Sequence, residues 1–165
     1  MWRLLIAFEK TNRPTWVPLI GALDDAGVLD EVDLRLVPWD ALADALATTH
    51  DDGQRAVVAM TLKSPECDAI RSRLADLADA RRPDDLIVAG GPHPTARPEA
   101  TLRMGFDAVF AGEGEVAFAT FWRLLLDDAD WRAAPNLRFL DGDRMVVRPP
   151  APIIDLDQVR PCLSR

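Results

Sequence analysis

Apolar runs of strand length alternate with helix-length amphipathic segments five times along this chain, and this alternation restricts the fold more than any other feature. The runs are RLLIAF, VDLRLV, RAVVAMT, DLIVAGG and DAVFAG. Five strand–helix units in series predict a parallel sheet with helices on both faces and right-handed crossovers. The alternating second run is typical of an edge strand, whereas the third is continuously apolar and suits the sheet centre. We therefore predict an α/β fold, a flavodoxin-like three-layer α/β/α sandwich whose five-stranded parallel sheet has the order 2-1-3-4-5.

Helix positions follow from apolar spacing and from residues that favour helix ends. Asp40 is predicted to cap the second helix and Ser64 the third, the fourth is predicted over 98–104, and His50 is expected to be solvated. The predicted buried faces are Trp16, Leu19, Ile20 and Leu23 in the first helix, Leu42, Leu46 and Thr49 in the second, Cys67, Ile70, Leu74 and Leu77 in the third, and Phe118, Phe121, Trp122 and Leu125 in the last. After position 135 the pattern changes to a β-hairpin that turns at Asp141-Gly142-Asp143, followed by a proline-bearing extended tail.

Charge and composition exclude several classes of function. The net charge of −8 argues against a nucleic-acid partner, because phosphate neutralisation needs clustered cations. No apolar run approaches the ~20 residues that span a membrane, so we expect a cytoplasmic protein without a membrane partner. Cys67 and Cys162 are too far apart in sequence to form a metal-ligand pair by themselves.

Two glycine-rich turns follow consecutive strands and mark the candidate site. Gly90 and Gly91 end the fourth strand, and the string GEGE ends the fifth. Ligands of open α/β sheets bind at this carboxyl edge, where loops converge and glycine allows the backbone close contact with a bulky ligand. The string GGPHPT predicts a wide turn with exposed backbone groups and the hydroxyl of Thr95, which favours a large ligand rich in amides over a polyphosphate.

Each of these turns also has a purely structural interpretation. Gly90 and Gly91 could serve only close packing of a strand and a helix, and the acidic GEGE could simply complement the dipole of the helix that it begins. GEGEVA fits the dinucleotide pattern G-x-G-x-x-A, but it follows the last strand, and two carboxylates disfavour a pyrophosphate. His93 could ligate a metal, although a hydrogen-bonding loop residue is the simpler interpretation. No catalytic residue and no metal site is predicted.

The string GGPHPTARPEATLRMGFDAVFAGEGEVAF resembles the N-terminal cobalamin-binding domain of B12-dependent radical S-adenosylmethionine (SAM) enzymes, and NLRFLDGDRMVVRPPAPIIDLDQVRP resembles their hairpin and linker. The resemblance implies a cobalamin-binding Rossmann-like domain over 1–130, and over 131–165 a hairpin and linker toward an absent radical SAM barrel, met in cis or in trans. It implies cobalamin as the cofactor of this domain, with a 4Fe-4S cluster and SAM only in the missing domain. The parent would perform radical methylation or related chemistry; whether this chain is itself an enzyme is left open.

Residues on the loops after strands one, three, four and five are the implied cofactor contacts. They are Thr11, Asn12, Thr61, Leu62, Ser64, Gly90, Gly91, His93, Gly112, Glu113, Gly114 and Glu115. Two motifs are missing from the chain: the D-x-H-x-x-G motif, whose histidine is an axial ligand in methionine-synthase-type domains, and CxxxCxxC, which holds the cluster. A cofactor-free docking or gating module of the same fold, and a nucleotide-dependent α/β enzyme using GEGEVA, are the alternatives.

Overall fold

A computed structural model describes residues 1–151, apart from the side chain of Glu66, so the predicted linker beyond position 151 lies outside the described residues. The strands are β1 (Trp2–Ala7), β2 (Val32–Val37), β3 (Arg55–Thr61), β4 (Leu86–Gly90), β5 (Ala108–Phe110), β6 (Leu137–Asp141) and β7 (Arg144–Val147). The α-helices are α1 (Arg13–Asp25), α2 (Leu42–Asp51), α3 (Cys67–Ala80), α4 (Pro92–Ala96), α5 (Pro98–Leu102) and α6 (Glu115–Leu126).

One sheet runs through the described part of the chain, in the order β2-β1-β3-β4-β5-β6-β7. The pairs from β2 to β5 are parallel, which confirms the predicted flavodoxin-like class and strand order. The predicted hairpin does not stand apart from this sheet, because β6 pairs antiparallel with β5. The sheet therefore has seven strands rather than five. Without β6, β5 would be the edge strand and would present unpaired backbone N–H and C=O groups. Pairing with β6 satisfies these groups.

Each central strand is buried on both faces because helices cover both sides of the sheet. In β1, Leu4 and Ile6 pack on the side of α1 and α6, whereas Leu5 and Ala7 pack on the side of α2 and α3. The predicted faces of α2 and α6 are confirmed, since all their members are buried. None of the described helices is long and apolar enough to cross a membrane.

Three local predictions were wrong. Asp40 makes no cap, because a 3-10 turn at Trp39–Ala41 precedes α2 and that helix has no side-chain cap bond. The predicted wide turn after Gly91 is instead the short helix α4, whose prolines suit a first helical turn. His50 is buried rather than solvated, since its Nε2 lies 2.7 Å from Oδ2 of Asp85.

Asp85 is fully buried and bonds to three segments at the amino edge of the sheet: the end of α2, the start of β3 and the loop after α3. Its oxygens accept hydrogen bonds from the backbone N–H of Ala56 at 2.9 Å and of Arg82 at 2.7 Å, besides the contact with His50. Removing a buried acceptor leaves its donors unsatisfied, which costs about 1–3 kcal/mol for each group.

We expect Asp85→Ala to lower the free energy of unfolding by about 3 kcal/mol, because the buried N–H of Ala56, the partly buried N–H of Arg82 and His50 lose their partner. Urea denaturation followed by circular dichroism measures this change. Asp84→Ala, at the exposed neighbouring position, is the control and should change stability by less than about 0.5 kcal/mol. Equal effects of the two substitutions would contradict the assigned role of Asp85.

Candidate functional site

A cleft of about 310 Å³ opens at the carboxyl edge of the sheet, on the face that α1 and α6 cover. Its floor is the ends of β3, β4 and β5, and its walls are the first turns of the two helices. The lining residues are Pro14, Thr15, Trp16, Pro18, Leu19, Ala59, Met60, Thr61, Val88, Ala89, Gly90, Gly91, Phe110, Gly112, Glu113, Gly114, Glu115 and Phe118. Seven of the twelve residues predicted for a cofactor are among them: Thr61, Gly90, Gly91, Gly112, Glu113, Gly114 and Glu115.

The two adjacent glycines after β4 have different roles. Gly91 has φ +103°, and a Cβ there would lie 2.7 Å from Thr61 Oγ1 and 3.2 Å from the carbonyl oxygen of Leu62. Gly91 therefore serves the close approach of two loops, which is the packing interpretation. A Cβ on Gly90 would meet nothing within 4 Å. Gly90 lies two residues after Val88, so a side chain at this position would point to the same face of the strand as Val88, the face that borders the cleft.

The GEGE loop is held from two sides. The hydroxyl of Thr95 accepts the backbone N–H of Gly112 at 3.0 Å and donates to the carbonyl of Gly91 at 2.9 Å. From the hairpin, Nδ2 of Asn136 donates to the carbonyl of Glu113 at 2.7 Å. The hydroxyl of Thr95 thus joins the two glycine-rich loops and is not free. The GEGE loop, which forms the cleft wall, is also held by Asn136, which comes later in the sequence, at the hairpin.

Two residues of the cleft lining have a buried polar atom without a hydrogen-bond partner among residues 1–151. The atoms are Nε1 of Trp16 and Oε2 of Glu115. Trp16 is only 4% exposed, and Glu115 lies in the first turn of α6, where a carboxylate complements the helix dipole. Both residues line the cleft, whereas the other described residues with an unpaired buried side-chain atom, Trp2, Gln54, Trp122 and Arg123, lie outside it.

Thr11 and Asn12 lie away from this cleft, in a second groove of about 270 Å³ that also contacts Thr61. The amide of Asn12 is engaged within its own loop, because Nδ2 donates to the carbonyl of Ala7 at 3.0 Å and Oδ1 accepts the N–H of Glu9 at 3.0 Å. Asn12 therefore shapes the first loop, and Thr11 is its exposed hydroxyl.

Leu62, Ser64 and His93 line neither cavity. The side chain of Leu62 is fully buried, and its backbone accepts from the N–H of His93 and donates to the carbonyl of Gly90. Nδ1 of His93 lies 3.0 Å from Oγ of Ser64, so these two side chains join the loops after β3 and β4. No group of three or more potential metal ligands occurs among residues 1–151.

Sequence reasoning missed the contribution of α1 to the cleft. Trp16 and Leu19 were assigned only to the buried face of this helix, yet they also form one wall. Pro14 in its first turn was the available signal, because it begins the helix directly at the carboxyl edge. Asn136 was also missed, although asparagine is the non-glycine residue that best tolerates positive φ.

Comparison with known proteins gives a consistent result. A family model described as the B12 binding domain matches residues 14–121. The cobalamin-dependent radical SAM methyltransferase TokK of Streptomyces tokunonensis is 38% identical over 82 residues, which are 48% of this chain and 12% of TokK.

Two solved structures share the fold at low identity. TsrM, a radical SAM methyltransferase from Kitasatospora setae solved with cobalamin and a 4Fe-4S cluster bound, aligns with a TM-score of 0.66 at 18% identity, over 97% of this chain and 30% of TsrM. OxsB, a cobalamin-dependent SAM radical enzyme solved with aqua-cobalamin and SAM, aligns at 0.55 and 13%, over 92% and 22%. The chain thus spans between 12% and 30% of the length of these three proteins.

The neighbouring glycines allow a matched stability test in the absence of any ligand. We expect Gly91→Ala to destabilise the protein by about 2 kcal/mol, because its Cβ would clash with Thr61 Oγ1, crowd the backbone of Leu62 and adopt a φ that disfavours a side chain. Gly90→Ala should change the free energy of unfolding by less than about 1 kcal/mol, because that space is open. Urea denaturation of both variants measures the difference, and equal losses would contradict the two roles.

Proposed function

This chain belongs to the B12-binding domain family, and we propose that its carboxyl-edge cleft receives part of a cobalamin that serves a radical SAM methyltransferase. The observation that carries the proposal is the combination of an open glycine edge with two lining residues, Trp16 and Glu115, that each have an unpaired polar atom. The chain is similar to cobalamin-dependent radical SAM methyltransferases in sequence and in fold.

The residues of the cleft fit such a cofactor. A cobalamin is bulky and carries amide arms and a nucleotide tail, so it needs backbone clearance together with separate donors and acceptors. Gly90 and Gly112 supply clearance, since a Cβ at either position would meet no atom within 4 Å. Nε1 of Trp16 supplies a donor, and Oε2 of Glu115 supplies an acceptor.

We assign the implied cofactor residues to two groups. The cleft group contacts the cofactor and consists of Thr61, Gly90, Gly112, Glu113, Gly114 and Glu115, to which we add Trp16. The supporting group holds the loops in place and consists of Asn12, Leu62, Ser64, Gly91 and His93, whose polar groups or missing side chain serve contacts within the protein. Thr11, with an exposed hydroxyl in the second groove, is proposed to contact the cofactor from that side.

The proposed partner is a radical SAM domain, in cis or in trans, which would contribute the 4Fe-4S cluster and SAM. When bound, cobalamin would supply the methyl group for methylation. This chain's own part is to bind and orient the cofactor, and to keep its loops fixed through Thr95 and Asn136. The relatives named for this chemistry support the proposal.

The two alternatives remain testable against it. A dinucleotide enzyme using GEGEVA would bring a pyrophosphate beside Glu113 and Glu115, which is electrostatically unfavourable at the start of α6. A cofactor-free docking module would leave the unpaired atoms of Trp16 and Glu115 without a ligand. Neither alternative accounts for the cleft as well as cobalamin does.

Filling the cleft tests the proposal directly. We expect Gly90→Leu to weaken binding of hydroxocobalamin by roughly tenfold or more, because the new side chain occupies open space at the cleft floor. Titration followed by the corrin absorbance measures the affinity. Ala75→Leu introduces the same side chain on the exposed face of α3, and this variant should bind like the unmodified protein. Absence of corrin binding by the unmodified protein would overturn the proposal.

Trp16→Phe tests the orphaned donor. We expect hydroxocobalamin binding to weaken by roughly five- to tenfold, because one hydrogen bond to the ligand is lost. Trp122→Phe is the matched control, since this buried tryptophan also has an unpartnered Nε1 but does not line the cleft. Both variants should lose stability through lost packing, and only the first should lose affinity. Equal affinities of the two variants would exclude Trp16 as a ligand donor.

A further inference from the structure

Asn136 uses every one of its polar groups to join separate segments of the chain. Its backbone N–H donates to the carbonyl of Pro149 at 2.9 Å, and its carbonyl accepts the N–H of Ala111 at 3.0 Å. Its side-chain Nδ2 donates to the carbonyl of Glu113 at 2.7 Å, and Oδ1 accepts the N–H of Ala151 at 2.9 Å. The residue is 7% exposed and has φ +58°.

These four bonds connect the loop after β5 with the segment that follows the hairpin. The sequence of that segment from 149 to 152 is Pro-Pro-Ala-Pro, so Ala151 carries its only backbone N–H. Asn136 accepts this single donor with the same side-chain amide that holds the carbonyl of Glu113. Because the amide is planar and rigid, a shift of the loop changes the position of the atom that holds Ala151.

We propose that Asn136 is a positioning residue that couples the GEGE loop to the segment ending at Ala151, so that occupation of the cleft and the position of Ala151 depend on each other. The coupling itself rests only on the hydrogen bonds above, whereas its use by cobalamin rests on the proposed function. Asparagine suits this position for two reasons: it provides a donor and an acceptor on one group, and it tolerates a positive φ.

The coupling is tested first without cofactor, by loosening the loop from its other side. Thr95→Val removes the acceptor of the Gly112 N–H, 3.0 Å away. In the full chain with Asn136, we expect this change to speed hydrogen exchange at Ala151 by about threefold or more, read by mass spectrometry of fragments that include 149–152. In the Asn136→Gly background, which keeps the backbone conformation but lacks both side-chain bonds, Thr95→Val should leave exchange at Ala151 unchanged.

Asn136→Asp separates the two side-chain bonds. The carboxylate still accepts the N–H of Ala151 but cannot donate to the carbonyl of Glu113, so slow exchange at Ala151 should persist while its response to Thr95→Val is lost. Asp128→Gly, at another non-glycine position with positive φ (+50°), is the control and should preserve the full response. No response with Asn136 present, or an equal response in all backgrounds, would overturn the coupling.

A second measurement uses hydroxocobalamin. With each chain saturated with the cofactor, binding should slow exchange at Ala151 in the chain with Asn136, but not in Asn136→Gly. If the unmodified chain retains no corrin absorbance, the proposed function fails while the Thr95 experiment still decides the coupling. If cobalamin binds and Ala151 responds equally in both chains, the coupling fails and the proposed function stands.

Discussion

The close approach of two loops at Gly91 is the contact on which the rest of the site depends. Because no side chain separates them, the backbone after β4 lies against Thr61 and Leu62 of the loop after β3. The N–H of Leu62 donates to the carbonyl of Gly90, and the N–H of His93 donates to the carbonyl of Leu62. These bonds set the floor of the cleft and begin α4, which in turn brings the hydroxyl of Thr95 to the GEGE loop. Gly91, which has no side chain, thus allows the contacts that join the loops after β3, β4 and β5.

The β6–β7 hairpin also helps to hold the cleft wall. Pairing of β6 with β5 extends the sheet and places Asn136 beside the carbonyl of Glu113. The wall formed by GEGE is therefore held by Thr95 on one side and by Asn136 on the other. A preorganised wall reduces the entropy that a bulky cofactor must overcome on binding. The cleft wall accordingly depends on a residue outside the five strand–helix units, Asn136 before β6.

Much of the fold was predictable because the pattern of apolar residues along each strand indicates which of its faces are buried. The continuous run of β3 indicated a central strand, and the alternating β2 indicated an edge; the strand order confirmed both. Prediction failed where a partner distant in sequence decides the outcome. His50 looks solvated on its own helix, but Asp85, which follows α3, contacts it in the interior. Likewise, the sequence does not distinguish the roles of Gly90 and Gly91. The structure does, because the space beside Gly90 is open, whereas Gly91 lies against Thr61 and Leu62.

The sequence by itself determined the α/β class and the strand order, and it placed the two glycine-rich loops at the carboxyl edge, where the structure has a cleft. It could do so because strand and helix periods, and the conformational freedom of glycine, are properties of short segments. Only the tertiary structure decided that Trp16 and Glu115 line the same cleft, and that Thr95 and Asn136 bond to the loop that forms its wall. Those facts depend on atoms that are far apart along the chain, and their distances are fixed only when the sheet has assembled.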